Sequence, residues 1–200
     1  MHAAGYESAR RRRAAALAGH DGELAVAAGY FEDADDTVRA VALGALVRMG
    51  SATPLVAARA LADPSPIVRR RAAELAASLQ GADFKQLLQD EDASVVEAAC
   101  FALGEVCDTA AVAALATVAT EHPDALCRES AVAALGSVGD PAGLPAILAA
   151  LKDKPAVRRR AVIALAPFAG DEVSAALRNA LNDRDWQVRQ AAEDLLSPER

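Results

Sequence analysis

Histidines, cysteines and runs of arginine are the residues of this chain whose chemistry could serve catalysis, metal binding or nucleic-acid binding. The histidines lie far from one another and the cysteines form no CxxC pair: His2, His20, His122, Cys100, Cys107 and Cys127. A metal site needs several such ligands brought together. The sequence also lacks a glycine-rich phosphate loop and a nucleophile elbow. We therefore expect no catalytic residue, no metal and no cofactor.

The arginine runs could neutralise phosphate groups. They occupy residues 10–13, 69–71 and 158–160. Nucleic-acid binding needs a continuous basic track that contacts several phosphates. Glu97, Glu105 and Glu129 lie between the second and third runs. We therefore favour a protein partner, and a nucleic-acid partner is the weaker alternative.

The net charge of −7 is concentrated in the middle of the chain. Residues 81–150 contain eleven acidic and two basic residues, a net charge of −9, whereas residues 1–80 and 151–200 each have a net charge of +1. A local excess of one sign produces a field that selects partners of the opposite sign. We expect the protein partner to present a basic segment.

A repeated pattern shows which elements position these charges. The pattern V-R-x-x-A-x-x-A-L returns every 27 to 32 residues. Its apolar positions 1, 5, 8, 9 and 12 fall on one side of a helix at about 100° per residue. The copies begin at Ala9, Val38, Val68, Val95, Cys127, Val157 and Val188. An aspartate lies five residues before the first position in four copies, at Asp33, Asp63, Asp90 and Asp183.

A second apolar stretch separates successive copies and has helix-start and helix-stop residues. Aspartate or threonine can cap the free N–H groups of a helix, and the candidates are Asp21, Thr53, Asp108, Asp140 and Asp171. Glycine suits the left-handed turn that ends a helix, and the candidates are Gly50, Gly81, Gly139 and Gly170. The repeating unit is therefore helix, turn, helix. Such pairs bury their apolar faces by stacking on their neighbours.

This framework resembles the HEAT-repeat family, in particular the short HEAT-like repeats named after phycobilisome lyases. The resemblance covers residues 9–196, with departures at Val96, His122 and Lys152. It implies an all-α fold, a right-handed α-solenoid of about six to seven helix pairs whose second helices line the concave face. We predict one HEAT-like repeat domain over residues 1–200, with inner helices that start near residues 9, 38, 68, 95, 127, 157 and 188. The recurrent arginine at position 2 is expected to bond with the recurrent aspartate or with loop carbonyls of an adjacent repeat.

The resemblance also raises three functions. HEAT-like alkylpurine DNA glycosylases bind duplex DNA on a concave face and need aromatic and acidic groups around a flipped base. The single tryptophan, Trp186, is instead expected to staple the last helix. Deoxyhypusine hydroxylase coordinates iron through His-Glu pairs, and no histidine here is followed by glutamate. A bilin or small-molecule lyase of the phycobilisome type stays open as an alternative.

Positions 3, 4, 7 and 11 of each copy point away from the predicted core and define a candidate binding stripe. In the second copy these are Ala40, Val41, Gly44 and Arg48. The candidate partner-binding residues on the concave face are Arg70, Arg71, Glu74, Glu97, Phe101, Glu105, Glu129, Arg159, Arg160 and Ile163. Phe101 has a glutamate at i−4 and at i+4. It could anchor a partner, or it could fill space between helices.

The sequence thus predicts a non-catalytic scaffold that binds a protein partner in its concave groove. Three cysteines without a CxxC pair favour the reducing cytoplasm. No apolar stretch reaches the roughly 18 residues that a membrane-spanning helix needs. We expect neither a membrane span nor a cofactor.

Overall fold

The repeats fold into helices throughout the part of the chain that the computed structural model describes, residues 2–79 and 81–197. The α-helices are α1 (His2–Asp21), α2 (Leu24–Tyr30), α3 (Asp36–Arg48), α4 (Pro54–Leu61), α5 (Pro66–Glu74), α6 (Ala93–Glu105), α7 (Val112–Glu121), α8 (Ala125–Val138), α9 (Leu144–Ala150), α10 (Pro155–Ala164), α11 (Asp171–Ala180) and α12 (Trp186–Leu196). Short 3-10 helices occupy Ala76–Ser78, Phe84–Gln89, Thr109–Ala111 and Pro141–Gly143. No strand occurs within these described ranges.

The pattern-bearing helices, here called inner helices, are α1, α3, α5, α6, α8, α10 and α12. Each contains one of the seven copies found in the sequence, and most begin two residues before position 1. The helices between them are here called outer helices. In the third interval, the 3-10 helix Phe84–Gln89 replaces an α-helix. The expected alternation of inner and outer helices is confirmed.

The chain divides into two compact units, residues 1–102 (unit 1) and residues 103–200 (unit 2). In unit 1, α3 packs on α1, α2 and α5, and α4 packs on α5. In unit 2, α8 packs on α7, α9 and α10, while α12 packs on α10 and α11. Each unit therefore has its own stack of helix pairs, and the single-domain organisation stays a prediction.

The core follows the predicted helix register. Position 1 of the six copies from Val38 onwards is at most 1% exposed, and the alanine at position 5 of these copies is fully buried. Ala40 and Gly44 belong to the stripe that was predicted to point away from the core, but both residues are buried. A methyl group built on Gly44 would lie 3.1 Å from a guanidinium nitrogen of Arg71, which shows that the neighbouring inner helix covers this position.

The predicted helix boundaries are mostly confirmed. Thr53 accepts a hydrogen bond from the backbone N–H of Val56 and caps α4. Asp108 and Asp140 cap the 3-10 helices that precede α7 and α9. Asp21 was expected to start a helix, and this expectation is wrong: Asp21 is the last residue of α1. The four predicted glycines, Gly50, Gly81, Gly139 and Gly170, all have positive φ, but Gly170 precedes α11 as its N-cap and does not end a helix.

Glycines also permit close contact between successive inner helices. A Cβ atom on Gly136 in α8 would lie 2.8 Å from the Cα atom of Ala164 in α10. A Cβ atom on Gly104 would lie 2.9 Å from the Cα atom of Ala134 in α8. Small residues at these crossings therefore set how closely the backbones of unit 2 approach.

Candidate protein-binding surface

A series of arginine–aspartate pairs holds consecutive inner helices in register. The Nε of Arg39 donates to Asp63 at 2.9 Å and one terminal nitrogen donates to the same carboxylate at 2.7 Å, while the other donates to the backbone oxygen of Asp33. Arg39, Arg69, Arg128 and Arg158 also donate to a backbone oxygen in the loop of their own repeat, so each connects that loop with the loop of the next repeat. The pairs are Arg11–Asp33, Arg39–Asp63, Arg69–Asp90, Arg128–Asp153 and Arg158–Asp183. The predicted partnership of the position-2 arginine with the aspartate of an adjacent repeat is confirmed for Arg39, Arg69, Arg128 and Arg158, whereas Arg189 donates to the backbone oxygen of Asp183 in its own repeat.

The departures from the sequence pattern have clear structural consequences. Asp153, one residue after Lys152, takes the place of the missing aspartate and accepts from Arg128 at 2.6 and 2.7 Å. The backbone oxygen of His122 accepts from Arg128 at 2.8 Å, and its Nδ1 accepts from the backbone N–H of Asp124 at 3.1 Å. The series of arginine–aspartate pairs is interrupted at Val96, where a fully buried valine stands in the place of the arginine.

Ionisation of Asp153 and Asp183 is favoured by their arginine partners. The hydrogen bond from Arg158 holds the pKa of Asp183 below its ordinary value, and Arg128 does the same for the pKa of Asp153. Arg158 is only 5% exposed. Because these arginines are committed to structural pairs, they are not available to a ligand.

Phe101 is the most exposed apolar side chain on the inner helices α3 to α10. It is 64% exposed on α6, with Glu97 one turn before it and Glu105 one turn after it. Neither glutamate forms an ion pair with the residues that the structure describes. The alternative that Phe101 fills space between helices is wrong, because most of its surface is open to solvent.

In unit 1, the predicted residues Arg70, Arg71 and Glu74 form one cluster on α5. The Nε of Arg70 lies 3.4 Å from one carboxylate oxygen of Glu74, and a terminal nitrogen of Arg71 lies 3.0 Å from the other. All three side chains are 40–47% exposed. The cluster therefore has a net positive charge that solvent can reach.

In unit 2, Glu129 of α8 lies beside Arg160 of α10, with 3.5 Å between the carboxylate and the guanidinium. Arg159 is half-buried on α10, and Ile163 on the same helix is 44% exposed. Glu129 is thus largely neutralised by its neighbour. On α6, by contrast, Glu97 and Glu105 form no ion pair with the described residues.

The exposure of Trp186 and the backbone conformation of Cys107 were not predicted from the sequence. Trp186 was expected to staple the last helix, and this is wrong, because the side chain is 64% exposed at the first residue of α12. Cys107 has a φ of 51° and is the non-glycine residue with positive φ in the described ranges. It follows α6 at the position that Gly50 and Gly139 hold in their copies, and this alignment was the signal that could have identified it.

Within the described residues, no group of three or more His, Cys, Asp or Glu side chains is placed to hold a metal ion. Among the helices that the structure describes, none is both long and apolar enough to cross a membrane.

Comparison with known families identifies the repeats. The family model described as HEAT repeats matches residues 81–156, and the model described as PBS lyase HEAT-like repeat matches residues 157–183. The two matches are contiguous and together cover more than half of the chain. The chain belongs to the HEAT-repeat family. A comparison with curated protein sequences gives no match.

Solved structures similar to this HEAT-repeat protein include natural and designed repeat proteins. An engineered protein has a TM-score of 0.64 at 18% identity, covering 88% of this chain and 95% of its own. A designed armadillo repeat protein in complex with the peptide (KR)4 has a TM-score of 0.53 at 16% identity, covering 94% and 89%. Human deoxyhypusine hydroxylase in complex with glycerol has a TM-score of 0.50 at 22% identity, covering 94% and 78%. At these identities the likeness shows the fold alone, an all-α solenoid.

Proposed function

We propose that this HEAT-repeat protein is a non-catalytic scaffold that binds a partner protein on the surface of its inner helices. The partner presents a basic segment to α6, and the complex forms in the cytoplasm. The residues that we propose to contact the partner are Arg70, Arg71, Glu74, Glu97, Phe101, Glu105, Glu129, Arg159, Arg160 and Ile163.

The observation that carries the proposal is the exposure of Phe101. An aromatic side chain that is 64% exposed costs free energy in the unbound protein, because its apolar surface stays in contact with water. Aromatic residues are enriched among those that contribute most to protein–protein affinity. An aliphatic stem of a lysine or arginine can cover the ring while its charged group reaches a glutamate.

The unpaired glutamates support a basic partner. Glu97 and Glu105 lie one turn to either side of Phe101 and form no ion pair with the described residues. The sequence segment 81–150, which includes α6, has a net charge of −9. Such a field speeds the approach of a positively charged segment and is screened beyond about 8 Å at 0.15 M salt.

The similarity to designed armadillo proteins adds a precedent for binding of a basic peptide by a helical-repeat protein. One of these structures is a complex with the peptide (KR)4, in which the helical-repeat protein holds a wholly basic chain. A peptide of the same composition is therefore a suitable first probe for the surface around Phe101.

We propose no catalytic role. The three histidines are dispersed and none precedes a glutamate, so the iron-binding pairs of deoxyhypusine hydroxylase are not present in this sequence. The phycobilisome-lyase name belongs to a repeat type, and a repeat is a scaffold onto which separate sites are added. Titration with a bilin, followed by its absorbance spectrum, separates a lyase from a scaffold.

Binding of fluorescently labelled (KR)4 to wild type and to Phe101→Ala tests the proposal directly. We expect the variant to bind more weakly by about 1–3 kcal/mol, because truncation removes an interface anchor. Leu55→Ala is the matched control, since Leu55 is 71% exposed on the outer helix α4. We expect Leu55→Ala to bind as wild type does.

The proposal fails if the peptide does not bind wild type, or if Phe101→Ala and Leu55→Ala bind it equally well. Circular dichroism of both variants verifies the fold. Phe101 is largely exposed, so its truncation leaves the core intact.

A further inference from the structure

A groove of about 330 Å³ opens on the inner helices of unit 1, between α1, α3 and α5. Its apolar floor includes Ala16, Val41 and Ile67, one from each helix. This volume is at the lower end of the roughly 300–1,000 Å³ found for ligand pockets. The groove, here called the unit-1 groove, is therefore of a size for side chains rather than for a large cofactor.

The rim of the unit-1 groove is basic. Arg48, Arg70 and Arg71 line it together with a single acid, Glu74. Glu74 is already shared between Arg70 and Arg71, and Arg48 makes no ion pair with residues that the structure describes. Three guanidinium groups around one carboxylate leave an uncompensated positive charge at the rim.

The backbone of α3 allows one of these arginines to extend over the groove. A Cβ atom on Gly44 would lie 3.1 Å from a terminal nitrogen of Arg71 and 3.9 Å from its Cζ. The guanidinium of Arg71 thus lies against a residue without a side chain. A Cβ atom at position 44 would already require this guanidinium to shift by a few tenths of an ångström, and a bulky side chain there would require a larger shift.

We propose that the unit-1 groove binds an acidic peptide segment, with glutamate or aspartate side chains on the arginines and an apolar side chain on the floor. The planar guanidinium matches a carboxylate with two parallel hydrogen bonds. The apolar floor suits an aliphatic side chain, which a phosphodiester chain does not provide. Duplex DNA is disfavoured because it requires a longer basic track with several phosphate contacts.

The inference rests on the proposed function, since both assign protein partners to the inner helices. It adds a second chemistry, because the surface around Phe101 is acidic whereas the unit-1 groove is basic. A partner with both an acidic and a basic segment could use both surfaces.

The test uses the full chain and a labelled six-residue peptide, Glu-Leu-Glu-Glu-Leu-Glu, with blocked ends. We expect saturable binding to wild type, and at least about tenfold weaker binding to Arg70→Gln/Arg71→Gln, because the charge-assisted hydrogen bonds from two guanidinium groups to carboxylates are lost. Arg178→Gln/Arg184→Gln is the matched control, since it removes two exposed arginines outside the groove. We expect this control to bind the peptide as wild type does.

Gly44→Leu provides an independent test, because it fills the place against which Arg71 lies while all charges stay unchanged. We expect it to weaken binding of the acidic peptide and to leave (KR)4 binding unchanged. Circular dichroism verifies that Gly44→Leu folds. If Gly44→Leu does not fold, Arg48→Gln is used in its place, and we expect it to weaken binding of the acidic peptide in the same way.

Each outcome decides between the two proposals. Absence of acidic-peptide binding to wild type, or binding that persists in Arg70→Gln/Arg71→Gln, overturns the unit-1 groove proposal. Tighter binding of a 12-base-pair DNA duplex that the same variant abolishes also overturns it, in favour of nucleic acid. Failure of (KR)4 to bind while the acidic peptide binds contradicts only the basic-partner proposal for α6.

Discussion

At the scale of single residues, Cys107 stands where other repeats place glycine. A non-glycine residue at positive φ has its Cβ atom close to the following carbonyl, which costs about 1–2 kcal/mol. Cys107 has a φ of 51°, and its Sγ makes only long contacts, 3.6 Å to the oxygen of Gly104 and 3.8 Å to that of Ser137. The residue therefore stores backbone strain with little compensation from its side chain.

Cys107→Gly is expected to raise the free energy of unfolding by about 0.5–1 kcal/mol, because glycine adopts this conformation without a clash. Urea unfolding monitored by circular dichroism measures the change. Cys107→Ala is the control, since it removes the thiol and keeps the Cβ atom. Equal stability of the two variants would show that the strain at this position is negligible.

Asp35 has a pKa well below its ordinary value. It accepts hydrogen bonds from the Ser8 hydroxyl, and from the hydroxyl and backbone N–H of Thr37, at the N-terminus of α3. These donors, with the side chains of Ser8 and Thr37 contributing most, lower the pKa of Asp35 to about 2. An unfolded aspartate has a pKa of about 3.9.

Since the folded-state pKa of Asp35 lies below the unfolded value, its contribution to stability is complete above about pH 4 and is lost as the pH falls towards 2. Asp35→Asn should therefore be less stable than wild type at pH 7, and the difference should shrink between pH 4 and pH 2. Urea unfolding of both proteins across this range measures it. A difference that does not change with pH would contradict the assigned role of the carboxylate.

At the scale of the elements, the packing of inner helices in unit 2 depends on glycine. Gly136 of α8 has Ala164 of α10 as its neighbour, with both the Cα and the Cβ atoms of Ala164 at 2.8 Å from the place where a Cβ atom would lie. Backbone atoms cannot yield as the end of a flexible side chain can. Larger residues at this crossing must push the helices apart.

Gly136→Val is expected to lower the free energy of unfolding by about 1–3 kcal/mol, because an overpacked contact forces the backbone to shift. Gly29→Ala is the matched control, since a methyl group on Gly29 in α2 would meet no atom within 4 Å. We expect this control to be neutral or slightly stabilising, as alanine is the better helix former. Thermal unfolding compares the two, and a stable Gly136→Val variant would contradict the close helix crossing.

At the scale of the whole molecule, the repeat period predicted the fold because each copy must bury the same positions against its neighbours. The exposure of the candidate binding stripe, positions 3, 4, 7 and 11 of each copy, was harder to predict. A helical wheel describes one inner helix and does not show which of its residues the neighbouring inner helix covers. Gly44 is covered by Arg71, and the charge of Glu129 is paired with Arg160 on another helix. The 3-10 helix Phe84–Gln89 escaped prediction because outer helices carry no fixed motif.

The central claim is that the acidic surface of α6 around Phe101 binds a basic segment of a partner. The most direct test compares the affinity of (KR)4 for wild type and for Glu97→Lys/Glu105→Lys at low and at physiological salt. Glu121→Lys/Glu193→Lys is the control, because it makes the same change of net charge at exposed residues of α7 and α12. We predict that wild type and control bind (KR)4 with an affinity that falls as salt rises, and that Glu97→Lys/Glu105→Lys loses both the affinity and its salt dependence. A folded Glu97→Lys/Glu105→Lys variant that binds (KR)4 with the affinity and salt dependence of the control would contradict the claim.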